Sequence, residues 1–420
     1  MTRVRRRRLT RVDQGKGTVS GRRVLYVSGS LGLGHVKRDL AIAGQLRRLD
    51  PDVEILWLAA EPASGVLAQA GETLLPESAD FRNETEVAEA VGSGGGLSQT
   101  VYAWRALAGW IHNARVIKRA AERAGVDVLV GDETYELLVA DILKLSRLPR
   151  VPFVMMYDFF ALDVTSGGPF ERLGAWLFNF IWTQERRVTG RGRNAAIFIG
   201  EREDIADKKF GLFLPNRRKV ADHVIFVGYV LTFYPDEVPD RDTARRQLGY
   251  GAEPLVVCTV GGTSIGRELL ELCGRTFPLA AEGLPGLRML LVCGPRLDPT
   301  QLETPDGVEK VGMVPDLWRH FAACDLAIVQ GGGTTTLELE ALRRPFLYFP
   351  LKGHAEQELT VGPRLARHGA GAAMMLKSTT PESLAEAIVK NLGRPVMYPP
   401  IPTDGARLAA KTIIERAEGR

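Results

Sequence analysis

The stretch Leu326-Ala-Ile-Val-Gln-Gly-Gly-Gly-Thr-Thr-Thr-Leu-Glu-Leu339 decides how the chain is read. Leu326 to Val329 have the length and branching of a buried strand, and a glycine triplet ends them. Leu337 to Leu342 then continue with helical spacing. A strand running through glycines into a helix is the repeating unit of parallel α/β sheets, whose ligands gather at the carboxyl ends of the strands. Gly331, Gly332 and Gly333 let a ligand approach the backbone, and the helix start offers unpaired N–H groups and a positive dipole end. Thr334 and Thr335 add hydroxyl donors. The turn is a candidate diphosphate cradle that needs no metal. Glu338 is expected to project from the first helical turn, either toward the ligand or into a capping box with Thr335 worth about 1 kcal/mol.

The same phrase recurs on both sides. Pro254 to Val260 is a strand, Gly261-Gly-Thr-Ser-Ile-Gly266 its turn, and a helix starts at Arg267. Met289 to Cys293, Val308 to Val311 and Phe346 to Phe349 read as further strands. Nearer the start, Arg23 to Ser28 runs into Gly29-Ser-Leu-Gly-Leu-Gly-His35 and then a helix Val36 to Leu49. Val53 to Ala59, Val126 to Val130, Val151 to Met156, Ala195 to Ile199 and Val224 to Val227 complete that half. The expected fold is α/β, with two Rossmann-like, doubly wound parallel sheets facing each other across a cleft. Residues 21–228 form the first domain, 229–245 a linker containing Pro235 and Pro239, and 246–400 the second domain. Residues 401–420 form a C-terminal helix packing back on the first.

Composition excludes several classes. At 45% hydrophobic and 25% charged, the 420 residues are those of a globular protein, neither disordered nor a coiled rod. The net charge of +4 is carried by a tail: the first 23 residues hold nine basic groups and one acid, leaving 45 basic and 49 acidic groups elsewhere. That is a basic, disordered appendage over residues 1–20, not a nucleic-acid groove. Cys258, Cys273, Cys293 and Cys324 have neither zinc-ligand nor disulfide-framework spacing, so a reducing compartment is expected. No GxxxxGK[ST] occurs. Asp50-x-Asp52 precedes a strand and Asp240-x-Asp242 lies in the linker, so no metal site is read from either. With no long apolar run and no apolar core after the N-terminal arginines, a cytoplasmic location is expected.

The run from Ala327 to Ala373 resembles the nucleotide-sugar half of GT-B glycosyltransferases, most closely family 28. It carries the glycine–threonine turn, Arg344-Pro-Phe-Leu-Tyr-Phe-Pro350, Glu356-Gln-Glu358 and Gly369-Ala-Gly-Ala372. The resemblance implies that Glu338 holds the ribose hydroxyls, and that Gln357 and Glu358 face the ribose and sugar. It also sets Met313 and Val314 against the uracil, and brings Gly262, Thr263, Ser264 and Arg267 to the phosphates from the opposite strand. Glu358 stands where the family carries a second glutamine. Gly29-Ser-Leu-Gly-Leu-Gly-His35 resembles the turn that opens the acceptor domain, with Gly32 and Gly34 in the acceptor-side loop.

A histidine at a helix N-terminus has its charged form disfavoured, so His35 is expected to be a neutral imidazole able to take a hydroxyl proton. A packed or capping histidine is the plain alternative. Asp132 occupies the place of the aspartate that orients the catalytic histidine in plant glycosyltransferases, or else N-caps the helix near Tyr135. The implied activity is transfer of a hexosyl group from a UDP-linked sugar to an acceptor hydroxyl, with inversion and without a cofactor. A UDP-sugar epimerase and a non-catalytic nucleotide-binding protein share the fold. The acceptor is a lipid or small molecule. Leu173 to Trp182, nine apolar or glycine positions in ten, reads either as a buried helix or as a peripheral contact with the cytosolic membrane face.

Overall fold

The computed structural model describes residues 21–29, 33–82, 99–163, 168–261, 266–294, 297–351 and 357–419. The basic tail, Gly32, Gly262, Thr263 and Ser264 lie outside the described residues, and of Glu358 only the backbone is described.

Two parallel sheets are present. The first contains β1 (Arg23–Val27), β2 (Glu54–Leu58), β3 (Thr73–Leu74), β4 (Val128–Asp132), β5 (Phe153–Tyr157), β6 (Ala195–Phe198) and β7 (Ile225–Phe226). Their order is β3-β2-β1-β4-β5-β6-β7. The second contains β8 (Leu255–Thr259), β9 (Arg288–Val292), β10 (Val308–Val311), β11 (Leu326–Val329), β12 (Phe346–Tyr348) and β13 (Ala372–Ala373), ordered β10-β9-β8-β11-β12-β13. The central strands are buried along their length because helices cover both faces, which is why they read as unbroken apolar runs.

The winding direction reverses between β1 and β4 in the first sheet and between β8 and β11 in the second. At such a switch point the loops diverge to opposite faces and leave a crevice at the strand ends. The turns at Gly29 and Asp132 border one switch point, and those at Gly261 and Gln330 the other.

Helix Gly405–Glu418 joins the core of the first sheet: Ala406, Ala409, Ala410 and Ile413, spaced for one helical face, pack with Val24, Tyr26, Ile42 and Leu46. The chain thus crosses between the sheets twice. The crossings are tied where Tyr229 N–H donates to Pro402 O at 2.7 Å and Gly405 N–H to Tyr229 O at 3.2 Å. The stretch 229–245 is not wholly a connector, since Asp240 caps a helix, Arg241–Leu248, that packs on the second sheet.

Helix Pro169–Trp182 divides the apolar stretch between two fates. Trp182 is 1% exposed, its ring 5.2 to 5.9 Å from those of Tyr135, Tyr157, Phe160 and Phe178. It is core and does not reach a membrane. Leu173, Leu177 and Phe180 remain exposed on the outer face. Among the described residues no helix is long and apolar enough to cross a membrane.

Candidate functional site

The first switch point gathers charge. Helix Leu33–Leu49 begins immediately after the glycine-rich turn, placing His35 in its first turn and Arg38 one turn on. The Nδ1 atom of His35 lies 2.9 Å from Oδ2 of Asp132, the last residue of β4. Arg38 donates to Asp132 Oδ1 at 2.5 Å and to Asp158 Oδ2 at 2.6 Å. Its Nη2 also stands 2.8 Å from His35 Nδ1, but a nitrogen that donates to Asp132 has no lone pair left for Arg38. Nearby, Asp39 accepts from Tyr26 Oη at 3.0 Å and from Ser28 Oγ at 2.6 Å.

One alternative is set aside here and one expectation corrected. Asp132 does not cap the following helix; that helix starts after Thr134, and the Asp132 carboxylate is turned to His35 and Arg38. Nor is His35 a neutral imidazole. Burial opposes its charge, but Glu133 and Asp132 outweigh both burial and Arg38 and lift it to about 10. A helix terminus acts as roughly half a charge, whereas two adjacent carboxylates act as nearly whole ones. For Asp132 itself burial favours the neutral acid, yet Arg38 and His35 hold its carboxyl below the usual range. Burial raises Asp39 well above it.

Sequence reasoning missed Arg38, Glu133 and Asp158. Arg38 lies three positions after His35 on one helix face, a spacing that carried a signal. Asp158 comes from the end of β5, and nothing local links it to His35. Among the described residues one group, His35, Glu133 and Asp158, brings potential metal-ligand atoms within 4.8 Å of one another. The guanidinium of Arg38, bound to Asp158, already supplies a positive charge there.

At the second switch point the helix after β11 runs Gly333–Ala341, so it begins four residues before the expected Leu337. Gly332 is its N-cap and Thr334 and Thr335 fall in its first turn, while Thr336 bonds back to Gly332 O at 2.9 Å. No capping box forms. Glu338 lies in the second turn, 7% exposed, and accepts a 2.6 Å hydrogen bond from Thr232 Oγ1. Its burial pushes the carboxyl up to about 6, against the lowering pull of Thr232 and Lys37. The triplet leaves room for a ligand: φ is +85° at Gly331, and a Cβ at Gly332 would meet nothing within 4 Å.

The other expected residues are dispersed around this turn. Gln357 is buried in a π-helical turn, Gln357–Val361, and its Oε1 accepts from the Leu351 N–H at 2.8 Å. Met313 is exposed and Val314 half-buried in the loop after β10. Arg267 is turned away, donating twice to Gln301 at 3.0 Å. His368 is buried, with Nδ1 2.8 Å from Glu340 Oε1.

The two switch points meet. A Cβ at Gly34 would stand 3.0 Å from Oγ1 of Thr334, so the first turn of helix Leu33–Leu49 abuts the first turn of helix Gly333–Ala341. Connector residues Tyr229, Leu231 and Phe233 pack with Leu337 of the same helix. Arg367 bonds Glu201 and Asp204, each at 2.9 Å, and fastens the sheets on the other side.

No family model matches the chain. It is 28% identical over 407 residues to the UDP-N-acetylglucosamine–N-acetylmuramyl-(pentapeptide) pyrophosphoryl-undecaprenol N-acetylglucosamine transferase of Mycobacterium avium, covering 94% of this chain and 88% of that one. An uncharacterized glycosyltransferase of Methanopyrus kandleri is 31% identical over 172 residues, 40% of this chain and only 47% of the relative. Among solved structures, the glycosyltransferase SnogD of Streptomyces nogalater superposes with a TM-score of 0.55 over 95% of both chains at 18% identity. With two parallel-sheet domains meeting at their switch points, the chain has the GT-B fold, and its sequence is similar over nearly its whole length to a glycosyltransferase.

Proposed function

We propose that the chain transfers a hexosyl group from a UDP-linked sugar to an acceptor hydroxyl, with inversion, as a member of family 28. The observation that carries this reading is the abutment of the two switch points. His35, paired with Asp132, follows a glycine that touches Thr334 of the glycine-rich turn. A proton acceptor on one sheet and an anion cradle on the other then serve one reacting bond. The acceptor oxygen attacks the anomeric carbon while its proton passes to Nε2 of His35, once that nitrogen has given up its own proton. The bond to the diphosphate breaks, and the charge that leaves is met by the N–H groups and dipole at Gly333, Thr334 and Thr335. Asp132 keeps the Nδ1 proton in place and stabilises the imidazolium.

In this reading Glu338 takes the ribose hydroxyls once Thr232 is displaced. Gln357 and Glu358 face the ribose and sugar, and Met313 and Val314 the base. Gly262, Thr263 and Ser264 are the residues that the resemblance assigns to the phosphates, and Arg267 joins them only by leaving Gln301. The similarity to a transferase that uses UDP-N-acetylglucosamine supports that donor. The test is to incubate the protein with UDP-N-acetylglucosamine and a panel of lipid and small-molecule acceptors, read by mass spectrometry. Acceptor-dependent release of UDP with a glycosylated product is expected. A new UDP-sugar formed without acceptor would make the protein an epimerase, and tight UDP binding without consumption would leave it a non-catalytic binder.

We also propose a cytoplasmic protein in peripheral contact with a membrane. Exposed Leu173, Leu177 and Phe180 adjoin exposed Leu212 and Phe213, the two segments being joined where Trp176 Nε1 donates to Leu212 O at 2.9 Å. Arg172, Lys208 and Lys209 are also exposed in these segments. An apolar surface flanked by cations suits an anionic interface and a lipid-linked acceptor.

A further inference from the structure

Glu133 combines two costly features. Its φ is +51°, in the left-handed region that residues with side chains rarely adopt. Its side chain is nine-tenths buried, yet Oε1 has no hydrogen-bond partner. Backbone strain and an unpartnered buried oxygen in one residue of a ligand-facing turn mark a group kept for chemistry.

The neighbours define which chemistry. Helix Leu33–Leu49 presents His35, Arg38 and Asp39, β4 presents Asp132, the end of β5 presents Asp158, and helix Tyr135–Ile142 presents Tyr135. Asp132 and Asp158 bind Arg38, with the Asp158 carboxylate also placed to take a hydrogen bond from Glu133 when that carboxyl is protonated, and Asp39 accepts from Tyr26 and Ser28. Glu133 instead directs Oε2 toward Nε2 of His35, 3.8 Å away. Nε2 is the ring atom that Asp132 leaves free for an acceptor. A carboxylate facing an imidazolium there is a destination for the proton that His35 has to lose before it can accept another.

We propose that Glu133 is a positioning residue that acts through His35 by storing the Nε2 proton during the reaction. The proposal rests on the transferase reading above. When both substrates are bound, the N–H bond at Nε2 breaks and an O–H bond forms at Oε2 of Glu133, leaving Nε2 with a free electron pair. The acceptor O–H then breaks, its proton going to Nε2. Its oxygen bonds the anomeric carbon, and the bond to the diphosphate breaks with its electron pair leaving on the diphosphate. After product release Glu133 gives its proton to solvent. One proton is released per turnover, as the reaction of a hydroxyl with a nucleotide sugar requires. The gap of 3.8 Å is closed by a small side-chain rotation or one bridging water. Burial, with Asp158 and Asp132 adding to it against His35 and Arg38, pushes the Glu133 carboxyl well above the usual range, so its neutral form is accessible.

The test compares wild type with Glu133→Gln and Glu133→Gly, the second of which relieves the left-handed strain and preserves folding. The titration of His35 is followed by ring NMR, its signal assigned with His35→Ala, and steady-state kinetics are measured alongside. In both variants the His35 midpoint is expected to fall by about one pH unit or more. The kcat is expected to fall about tenfold or more, with KM for the UDP-sugar unchanged. An unchanged His35 titration in folded Glu133→Gly overturns the proposal, as does a lowered midpoint with kcat retained. If the wild-type protein consumes no UDP-sugar, the transferase reading fails by itself, and the NMR midpoint still reports whether Glu133 holds the His35 charge.

Discussion

The hydroxyl of Thr232 donates a 2.6 Å hydrogen bond to Oε1 of Glu338, tying the connector between the two sheets to the helix behind the glycine-rich turn. A ribose that reaches Glu338 has to displace this hydroxyl. Thr232→Val is therefore expected to tighten UDP binding while lowering the stability of the empty protein by about 1–3 kcal/mol, since Glu338 loses a buried partner. Glu338→Ala is expected to weaken UDP by roughly 1.5–3 kcal/mol. Calorimetric UDP titrations with parallel thermal melts decide both; unchanged UDP affinity in the two variants would remove Glu338 from the donor site.

The same carboxyl sets a pH dependence. Burial raises it from 4.5 to about 6 in the folded state. Its contribution to stability is fullest below the unfolded value and is lost as pH rises through about 6. Nucleotide binding runs the other way, because two ribose hydroxyls are better met by the ionised form. UDP affinity in the wild type is expected to fall as pH drops below about 6. That dependence should vanish in Glu338→Gln.

His35→Ala is expected to leave UDP affinity nearly intact and reduce turnover by about 10²-fold or more. Its stability effect has a distinct signature. The folded-state value is raised from 6.5 to about 10, so the stabilisation is complete below 6.5 and lost as pH rises through 10. Melting temperatures of wild type and variant should differ most at the acid end of that window and converge at the alkaline end.

Arg38 is the cation of a buried cluster, bound to Asp132 and Asp158 together. Arg38→Leu takes from Asp158 its bound cation and leaves Asp132 with His35 alone, and a loss of about 3–5 kcal/mol is expected in urea denaturation. A loss under about 1 kcal/mol would mean that water replaces the guanidinium and that the cluster is open.

Vesicle flotation tests the apolar surface. The intact chain should float with anionic vesicles at low salt, and Phe180→Asp and Leu177→Asp should each weaken that binding. A chain starting at Gly21 separates the tail's share from that of the surface. Should the intact chain stay in solution at low salt, the surface serves another purpose and the acceptor is a soluble molecule.

Much of the architecture was legible because it is written locally. Runs such as Val24 to Val27 and Leu326 to Val329 are apolar throughout, as central parallel strands are, and the glycines that end them mark the turns where ligands bind. The two-residue strands β3 and β13 were not legible, being too short to carry a period. The start of the helix at Gly333 was missed for a related reason: the glycines that open a turn conceal the helix that begins among them.

By itself, the sequence determined two parallel sheets, their glycine-rich turns and the placing of His35 at a helix start, since strand, turn and helix follow from residues within a few positions of one another. Only the tertiary structure decided the charge of His35 and the partner of Glu338. Arg38, Asp132, Glu133 and Asp158 come from three elements spread over some 120 residues, and they meet because β1, β4 and β5 are neighbours in the sheet. Thr232 reaches Glu338 only because the connector folds back across the second domain. Coulomb and hydrogen-bond energies depend on distances of a few ångströms, and between remote segments it is chain topology, not local pattern, that sets those distances.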